Sequence, residues 1–444
     1  MIPEKNKKIY IETYGCQMNF SDSEIVASIL NGRGYENTTD IGSADVIFIN
    51  TCSIRDNAEQ RVRKRLQAFR SLKRKKPGLL VGLLGCMGER LKSELLREEE
   101  VLDIVAGPDA YRDLPRLLEM AEGGEKAINT ILSLDETYAD INPVRLDSNG
   151  ISAFISIMRG CENYCAYCVV PYVRGKERSR ETDSILAEAS DLYYKVFREI
   201  TLLGQNVNSY LWIKDKTSIN FARLLEIAAR RNPHIRFRFA TSHPKDLPDE
   251  LLDVIAFNTN ICKSIHLPVQ SGSTKILKKM KRGYTREQYL ERVEAIRRII
   301  PGCAVSTDII TGFCDEEEED HQLTLSLMNE AAFDYAFMFR YSERPDTFAA
   351  GHYTDNVPGE IKDRRLSEVI ALQRKLSLES NKMDMNKTVE VLIEGDSKRS
   401  AEYYSGRNSS NKVVVFPKTE NRPGDYVMVR INEVTSATLI GQII

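Results

Sequence analysis

Long apolar runs are missing from this 444-residue chain. None approaches the roughly 18 residues of a membrane span, and the opening MIPEKNKKIY is charged where a secretory leader is apolar. Neither an anchor nor an export signal is expected, and a cytoplasmic location is. Cysteine is scarce, at nine residues, and a disulfide scaffold needs a denser and normally even set. In a reducing compartment such a set points to metal binding or reactive thiols. Histidine is scarcer still, five in all, without the paired spacing of a closed zinc site. No internal repeat is visible. Charge of one sign is not in excess either: the formal net charge is -2, yet RVRKRLQAFRSLKRKK (61–76) holds nine basic residues and no acid, while DEEEED (315–320) is wholly acidic. Net charge therefore excludes no partner.

What is present begins as an alternation of strand-like apolar runs with amphipathic helices. IYIETYGC, VIFINTC and LLVGLLGC are separated by a helix from about residue 23 and a helix through the basic run, with another near 90. Ser21 with Glu24 predicts a capping box opening the first helix, and Gly32 and Gly34 its end. A fourth strand, LDIVAG, and a helix over 111–122 complete a parallel α/β domain, and the polar, aperiodic residues 123–150 predict a linker. Strand and helix then alternate six times, with strands near 151–158, 199–204, 235–240, 264–269, 304–311 and 335–341. Such units predict a parallel sheet curled into a partial (β/α)6 barrel, short of closure. A long helix over 359–383 leads to TVEVLIEG, KVVVFP, DYVMVRINEV and ATLIGQI, short strands divided by turn residues, which predict a small antiparallel β-barrel.

The cysteines fall into two trios. Cys161, Cys165 and Cys168 share C-x3-C-x2-C spacing in RGCENYCAYCVVP, directly after the first barrel strand, on the face where strand-to-helix loops carry chemistry. A tetrahedral zinc site wants a fourth ligand, and none stands nearby. Three thiolates on an iron-sulfur cube leave one iron open instead. Cys16, Cys52 and Cys86 are distant in sequence, but each ends a predicted strand, in YGC, NTC and LGC. The carboxyl ends of parallel strands face one crevice, so these three are expected to converge; the alternative is three separate buried thiols. Gly15 and Gly85 precede two of them and would let backbone approach a cluster closely.

The C-x3-C-x2-C motif, with Tyr167 before its third cysteine, resembles that of the radical S-adenosylmethionine (SAM) enzymes, and together with the upstream trio nearly the whole chain resembles a methylthiotransferase. RGCENYCAYCVVPYVRGKERSR, LLGQNVNSY, HLPVQSGS and GRNSSNKVVVF are most similar to the subgroup acting on isopentenyl (dimethylallyl) adenosine in tRNA. The resemblance implies an N-terminal domain over residues 7–123 holding an auxiliary 4Fe-4S cluster, a radical-SAM core over 147–380 and a TRAM RNA-binding domain over 383–444. It implies cluster ligation by both trios, with SAM as the open iron's ligand at Cys161, Cys165 and Cys168. One SAM would give a methyl to sulfide on the auxiliary cluster, and a second the 5'-deoxyadenosyl radical that takes hydrogen from carbon 2 of the adenine. A tRNA anticodon stem-loop, a flavodoxin- or ferredoxin-like electron carrier and a sulfur or iron-sulfur donor are the implied partners, with a monomeric enzyme.

Strand ends place Gln205 and Asn206, Ser242 and His243, Gln270, and Asp308 at the barrel mouth as candidates for binding SAM or the adenine; His243-Pro244 also reads as a plain turn, and Asp308 as a loop cap. Candidate RNA contacts are Arg61, Arg65, Lys73 and Arg74 in the basic run, for phosphate, and Tyr403, Arg407, Lys412 and Phe416 in the C-terminal barrel, where aromatic and basic residues interleave. A solvated helix face and ordinary strand composition are the alternatives. Cys314 stands where the family has a proline, which puts that loop's backbone restraint in doubt; a spurious ligand at the iron face is one reading, and a free or buried thiol, with Cys262 and Cys303, is the expected one. Rival functions are methylthiolation of threonylcarbamoyl-adenosine in tRNA, methylthiolation of a ribosomal-protein aspartate, and an iron-sulfur RNA-binding protein without catalysis.

Overall fold

The structure, a computed structural model, describes residues 6–52, 56–146 and 149–444. It divides into two compact units. One comprises Met1–Asp147, Met158–Tyr164 and Cys168–Ser184; the other Ser148–Ile157, Cys165–Tyr167 and Ile185–Ile444. The division runs through the C-x3-C-x2-C motif itself.

The first unit is built on a parallel sheet of six strands, β1 (Lys8–Thr13), β2 (Glu36–Asn37), β3 (Val46–Thr51), β4 (Leu80–Gly85), β5 (Ile104–Ala106) and β6 (Ala127–Asn129), in the order β2-β1-β3-β4-β5-β6. Strands β3 and β4 are buried at every position, as central strands covered on both faces must be. On one face pack Ile25, Val26 and Leu30 of helix Gln17–Asn31 with Leu114, Leu117 and Leu118 of helix Leu114–Glu122. Val62, Leu66 and Phe69 of helix Asp56–Lys75 and Leu95 of helix Cys86–Glu98 cover the other. A two-residue hairpin, β8 (Met158–Arg159) with β9 (Arg178–Ser179), completes the unit.

Two expectations about this unit need correction. The first helix opens at Gln17 with Cys16 at its N-cap, so Ser21 and Glu24 are not a capping box. They and Asp22 are buried; Asp22 pairs with Arg159 and Arg174, and Glu24 with Arg145 at 2.6 Å. Nor are residues 123–150 simply a linker: β6 adds to the sheet beside β5, and Tyr138 is fully buried, stacked on Tyr111 at 5.7 Å. Three-residue strands carry no periodicity to read.

In the second unit β7 (Ser152–Ser156), β10 (Glu199–Leu203) and β13 (Arg236–Phe239) form one parallel sheet, and β14 (Ser264–His266), β15 (Ala304–Thr311) and β16 (Tyr335–Arg340) another. A parallel bridge between Phe237 and Ile261 links them into an arc of the expected six strands. A hairpin of β11 (Leu211–Lys214) and β12 (Thr217–Asn220), which the sequence reading did not anticipate, follows the second barrel strand. After helix Gly359–Lys382 comes a closed barrel of β17 (Thr388–Ser397), β18 (Ser400–Asn408), β19 (Val413–Pro417), β20 (Tyr426–Val434) and β21 (Leu439–Ile443), ordered β17-β18-β19-β21-β20. The acidic run is a helix start: Glu317 and Asp320 form a reciprocal capping box, and Glu318 and Glu319 face the positive end of helix Glu318–Ala331. No helix among the described residues is long and apolar enough to cross a membrane.

Candidate active site

The strand-end trio of the first unit converges. Cys16 caps its helix, Cys52 follows β3 and Cys86 opens a helix directly after β4; the Cys52 thiol hydrogen-bonds with those of both Cys16 and Cys86. The hydrogen bond from Cys52 and the positive charge of Arg174 pull the Cys16 thiol down to about 6 and the Cys86 thiol to about 7, while Cys52 is pushed well up. A buried amide ladder holds the crevice. Cys16 Sγ donates to Asn19 Oδ1 (3.2 Å), Asn19 Nδ2 to Asn50 Oδ1 (3.1 Å), and Asn50 Nδ2 to the Asn19 carbonyl (2.9 Å). The role expected of the two glycines changes here. A Cβ at Gly15 would stand 2.6 Å from Cys52 Cβ, and one at Gly85 would stand 2.4 Å from Asn50 Oδ1. Both are small because neighbouring loops close on them, and the positive φ of each suits glycine.

Around this crevice lies a buried ion network that the sequence reading missed. Asp22 accepts from Arg159 Nη1 and Arg174 Nη2, each at 2.8 Å, and Asp109 from Arg178 Nη1 at 2.7 Å, with Arg159 Nε 3.6 Å away. Burial alone would raise the Asp22 carboxyl, but the guanidinium groups of Arg159 and Arg174 hold it below the usual carboxylate range. Arg174 Nε donates to Cys86 Sγ at 3.2 Å. Glu89, one helical turn beyond Cys86, is buried with neither carboxylate oxygen hydrogen-bonded among the described residues, and burial pushes it up to about 7.

The second trio lies on the loop after β8. The Cys161 amide donates to the Gly175 carbonyl (3.1 Å), which ties the motif's start to the β8–β9 hairpin. Val169 and Val173, just past Cys168, form one small apolar cluster with Cys86, so the residue following one trio shares an apolar cluster with a member of the other. In the second unit Arg282 Nη1 donates to Cys165 Sγ (3.2 Å); its other donors reach the Pro268 carbonyl (2.8 Å) and Tyr284 Oη (2.9 Å). None of the nine cysteines is in a disulfide.

At the mouth of the barrel arc, five side chains on two adjacent strand ends keep buried polar atoms without a partner among the described residues: Gln205 Oε1, Asn206 Oδ1, both amide atoms of Asn208, Ser242 Oγ and His243 Nε2. Orphaned polar atoms are costly in a finished core and expected where a polar ligand docks. Burial, with the charges of Arg282 and Lys245, lowers the His243 imidazole to about 2, so the ring is neutral. His243 Nδ1 accepts from the Lys245 amide (3.4 Å), so the residue also makes the turn that was its alternative reading. Asn206 Nδ2 is engaged by Asp246 (2.7 Å). Gln270 adopts φ +74° with both its backbone groups paired across to β15, a strained position of the kind that clusters at binding sites. The Asp308 carboxylate faces His266 Nε2 at 3.4 Å.

Three family descriptions match the chain: Uncharacterized protein family UPF0004 over residues 8–107, the Radical SAM superfamily over 155–328 and the TRAM domain over 385–444. Among curated proteins, the tRNA-2-methylthio-N(6)-dimethylallyladenosine synthase of Chloroherpeton thalassium is 57% identical over 434 residues, spanning 98% of this chain and 95% of that protein. The synthase of the same name from Parabacteroides distasonis is 58% identical over 436 residues, again 98% and 95% of the two chains. The chain belongs to this synthase family. The radical SAM methyltransferase TsrM from Kitasatospora setae, solved with cobalamin and a 4Fe-4S cluster bound, aligns at TM-score 0.57 and 13% identity over 78% of this chain and 74% of that one. That likeness shows the fold alone.

Membership of the radical SAM superfamily brings a 4Fe-4S cluster and SAM, and the residues fit both. Three thiols at C-x3-C-x2-C spacing, with Cys165 receiving a hydrogen bond from a buried guanidinium, suit an anionic cluster, and orphaned amide, hydroxyl and imidazole atoms suit a polar ligand.

In the TRAM domain and the basic helix, the RNA candidates separate. Phe416 is corrected outright: it is fully buried with Val391, Val414 and Leu439 in the barrel core, where no base can stack on it. Lys412 pairs with Asp384 (2.8 Å) and the Ser380 hydroxyl, and Arg407 with Glu394 (3.4 Å), while Tyr403 is half-buried on β18. On helix Asp56–Lys75, Arg65 is paired with Glu12, Lys73 with Asp103, Arg63 with Glu98, Arg70 with Glu99, and Lys76 just beyond with Asp45. Arg61 and Arg74 are exposed. Much of the positive run is therefore spent within its own unit. Phe416→Ala is expected to destabilise the TRAM barrel by about 3–5 kcal/mol, the usual cost of emptying a buried aromatic site. Thermal unfolding of the barrel will read this, whereas Tyr403→Ala should leave stability nearly unchanged.

Proposed function

We propose that this chain converts N6-dimethylallyladenosine beside the tRNA anticodon to its 2-methylthio derivative, using two 4Fe-4S clusters and two SAM molecules. The observation that carries the reading is the meeting of the three strand-end thiols in one crevice, against the residue that follows Cys168. A generic radical enzyme needs only the second trio; a sulfur-inserting one needs a further cluster that can hold sulfide. When bound, these groups supply the methyl transfer and the hydrogen abstraction, chemistry beyond side-chain acid–base catalysis at an adenine C–H.

The chain's own residues do the rest. Cys161, Cys165 and Cys168 hold the SAM-binding cluster, with Arg282 fixing the Cys165 thiolate. Cys16, Cys52 and Cys86 hold the auxiliary cluster and its sulfide. Gln205, Asn206, Asn208, Ser242 and the neutral His243 orient SAM and the adenine through their unsatisfied polar atoms, and Gln270 and Asp308 border the same mouth. Arg61, Arg74 and Tyr403 remain the proposed RNA contacts, and Arg65, Lys73, Arg407 and Lys412 join them only by giving up the ion pairs they make within the protein. The enzyme is read as a cytoplasmic monomer served by a flavodoxin- or ferredoxin-like reductant and a sulfur or iron-sulfur donor.

Nucleoside mass spectrometry of tRNA from cells lacking the gene provides the test. The expected result is accumulation of N6-dimethylallyladenosine with its methylthio form absent. Loss of methylthiolated threonylcarbamoyl-adenosine instead would overturn the assignment.

A further inference from the structure

The three arginines around the first crevice do not play equal parts. Among the described residues, three buried guanidinium groups, Arg159, Arg174 and Arg178, pair with two carboxylates, Asp22 and Asp109. Only Arg174 turns a donor onto a cluster cysteine, Nε to Cys86 Sγ at 3.2 Å. Its Nη1 is also buried and has no acceptor among the described residues. The position is fixed: Arg174 ends helix Val170–Arg174, whose Val173 packs on Cys86, and its carbonyl accepts from Arg178 Nη2 at 2.9 Å. Asp22, Arg159, Arg174, Arg178 and Cys86 are all buried, so contacts among them are screened little by water.

We propose that Arg174 is a positioning residue that raises the reduction potential of the auxiliary cluster, and that Asp22 works against it by neutralising part of its charge. Reduction adds one negative charge to the cluster. A buried cation that hydrogen-bonds to a ligating sulfur stabilises the reduced form more than the oxidised one, and a carboxylate behind that cation does the reverse. The inference rests on the two-cluster reading above.

The experiment uses the full-length chain carrying Cys161→Ala, Cys165→Ala and Cys168→Ala, so that only the auxiliary cluster is reconstituted, in a redox titration followed by electron paramagnetic resonance. Arg174→Gln is expected to lower the midpoint by at least a tenfold change in the oxidised-to-reduced ratio, about 59 mV for one electron. Asp22→Asn, which leaves Arg174 unneutralised, should move it upward, and Arg174→Lys should fall between the parent and the glutamine variant. A merely structural role would move Arg174→Gln and Asp22→Asn in the same direction or not at all, and either outcome overturns the proposal. If Arg174→Gln retains no iron, the lysine and Asp22→Asn variants decide on the same signs. A parent that binds no cluster refutes the two-cluster reading instead, whereas a bound cluster with unmoved potentials refutes the inference alone.

Discussion

Alanine at Cys161, Cys165 and Cys168 is expected to reduce SAM cleavage to background, whereas alanine at Cys16, Cys52 and Cys86 should leave cleavage in place and abolish methylthiolation. On the proposed two-cluster reading, each triple variant should lose about half of the iron of the reconstituted protein. The trios are read as having separate ligands, and Cys86 shares one small apolar cluster with Val169 and Val173. Loss of one cluster therefore need not empty the other site. Iron and sulfide analysis, 5'-deoxyadenosine release and methylthio-nucleoside yield, measured on the same samples, separate the roles. If the N-terminal variant alone loses SAM cleavage, the two trios have been assigned the wrong way round.

The second large effect is structural. Arg159 is 1% exposed; it binds Asp22 at 2.8 Å and the Pro108 carbonyl at 2.9 Å, with its guanidinium 4.9 Å from the ring of Tyr138. Arg159→Ala removes these partners at once and opens a cavity beside two buried carboxylates. Asp22 keeps Arg174 and Asp109 keeps Arg178, so the cost is expected near the lower end of the about 3–5 kcal/mol of breaking a buried pair, still more than for an exposed pair on the basic helix. Hydrogen exchange in β3 and β4 should report opening free energies lowered by that amount, while Arg63→Ala, on an exposed pair with Glu98, should change them little. The same network makes the unit sensitive to acid. Because Asp22 is held below the usual carboxylate range, its stabilising contribution is complete above the ordinary carboxylate pKa and is lost as pH falls through the depressed one. Equal protection in Arg159→Ala and the parent would show that the network contributes nothing to the fold.

Legibility from sequence followed locality. The motif trio was readable because its ligands fall within one loop and their spacing is itself the chemistry. The strand-end trio was readable because parallel strands aim their carboxyl ends at one crevice, so a repeated position in three separate strands implied a meeting in space. The arginine network was not readable. Asp22 sits in a helix's first turns where an acid is commonly a surface residue, and Arg159, Arg174 and Arg178 look like the basic flank of an RNA-binding segment. Only burial tells them apart from solvated charges. Phe416 had a signal that composition concealed: Val414 and Phe416 alternate with outward neighbours on β19, and that period of two places the ring inside. The restraint on the loop at Cys314 came from elsewhere than the missing proline. Glu316 accepts from the Gly312 amide at 2.7 Å and is held by Arg365 at 3.0 Å, while Cys314 itself is a buried thiol, like Cys262 and Cys303.

By itself, then, the sequence determined the main alternation of strands and helices, the three-part composition of the chain and the two cysteine trios, because each depends on periodicity, on spacing or on a repeated position at strand ends. Tertiary structure alone decided which charges are buried and paired, which aromatic faces the core and which polar atoms are left for a ligand. Those properties depend on which distant segment occupies the other side of a side chain, and no local pattern encodes that.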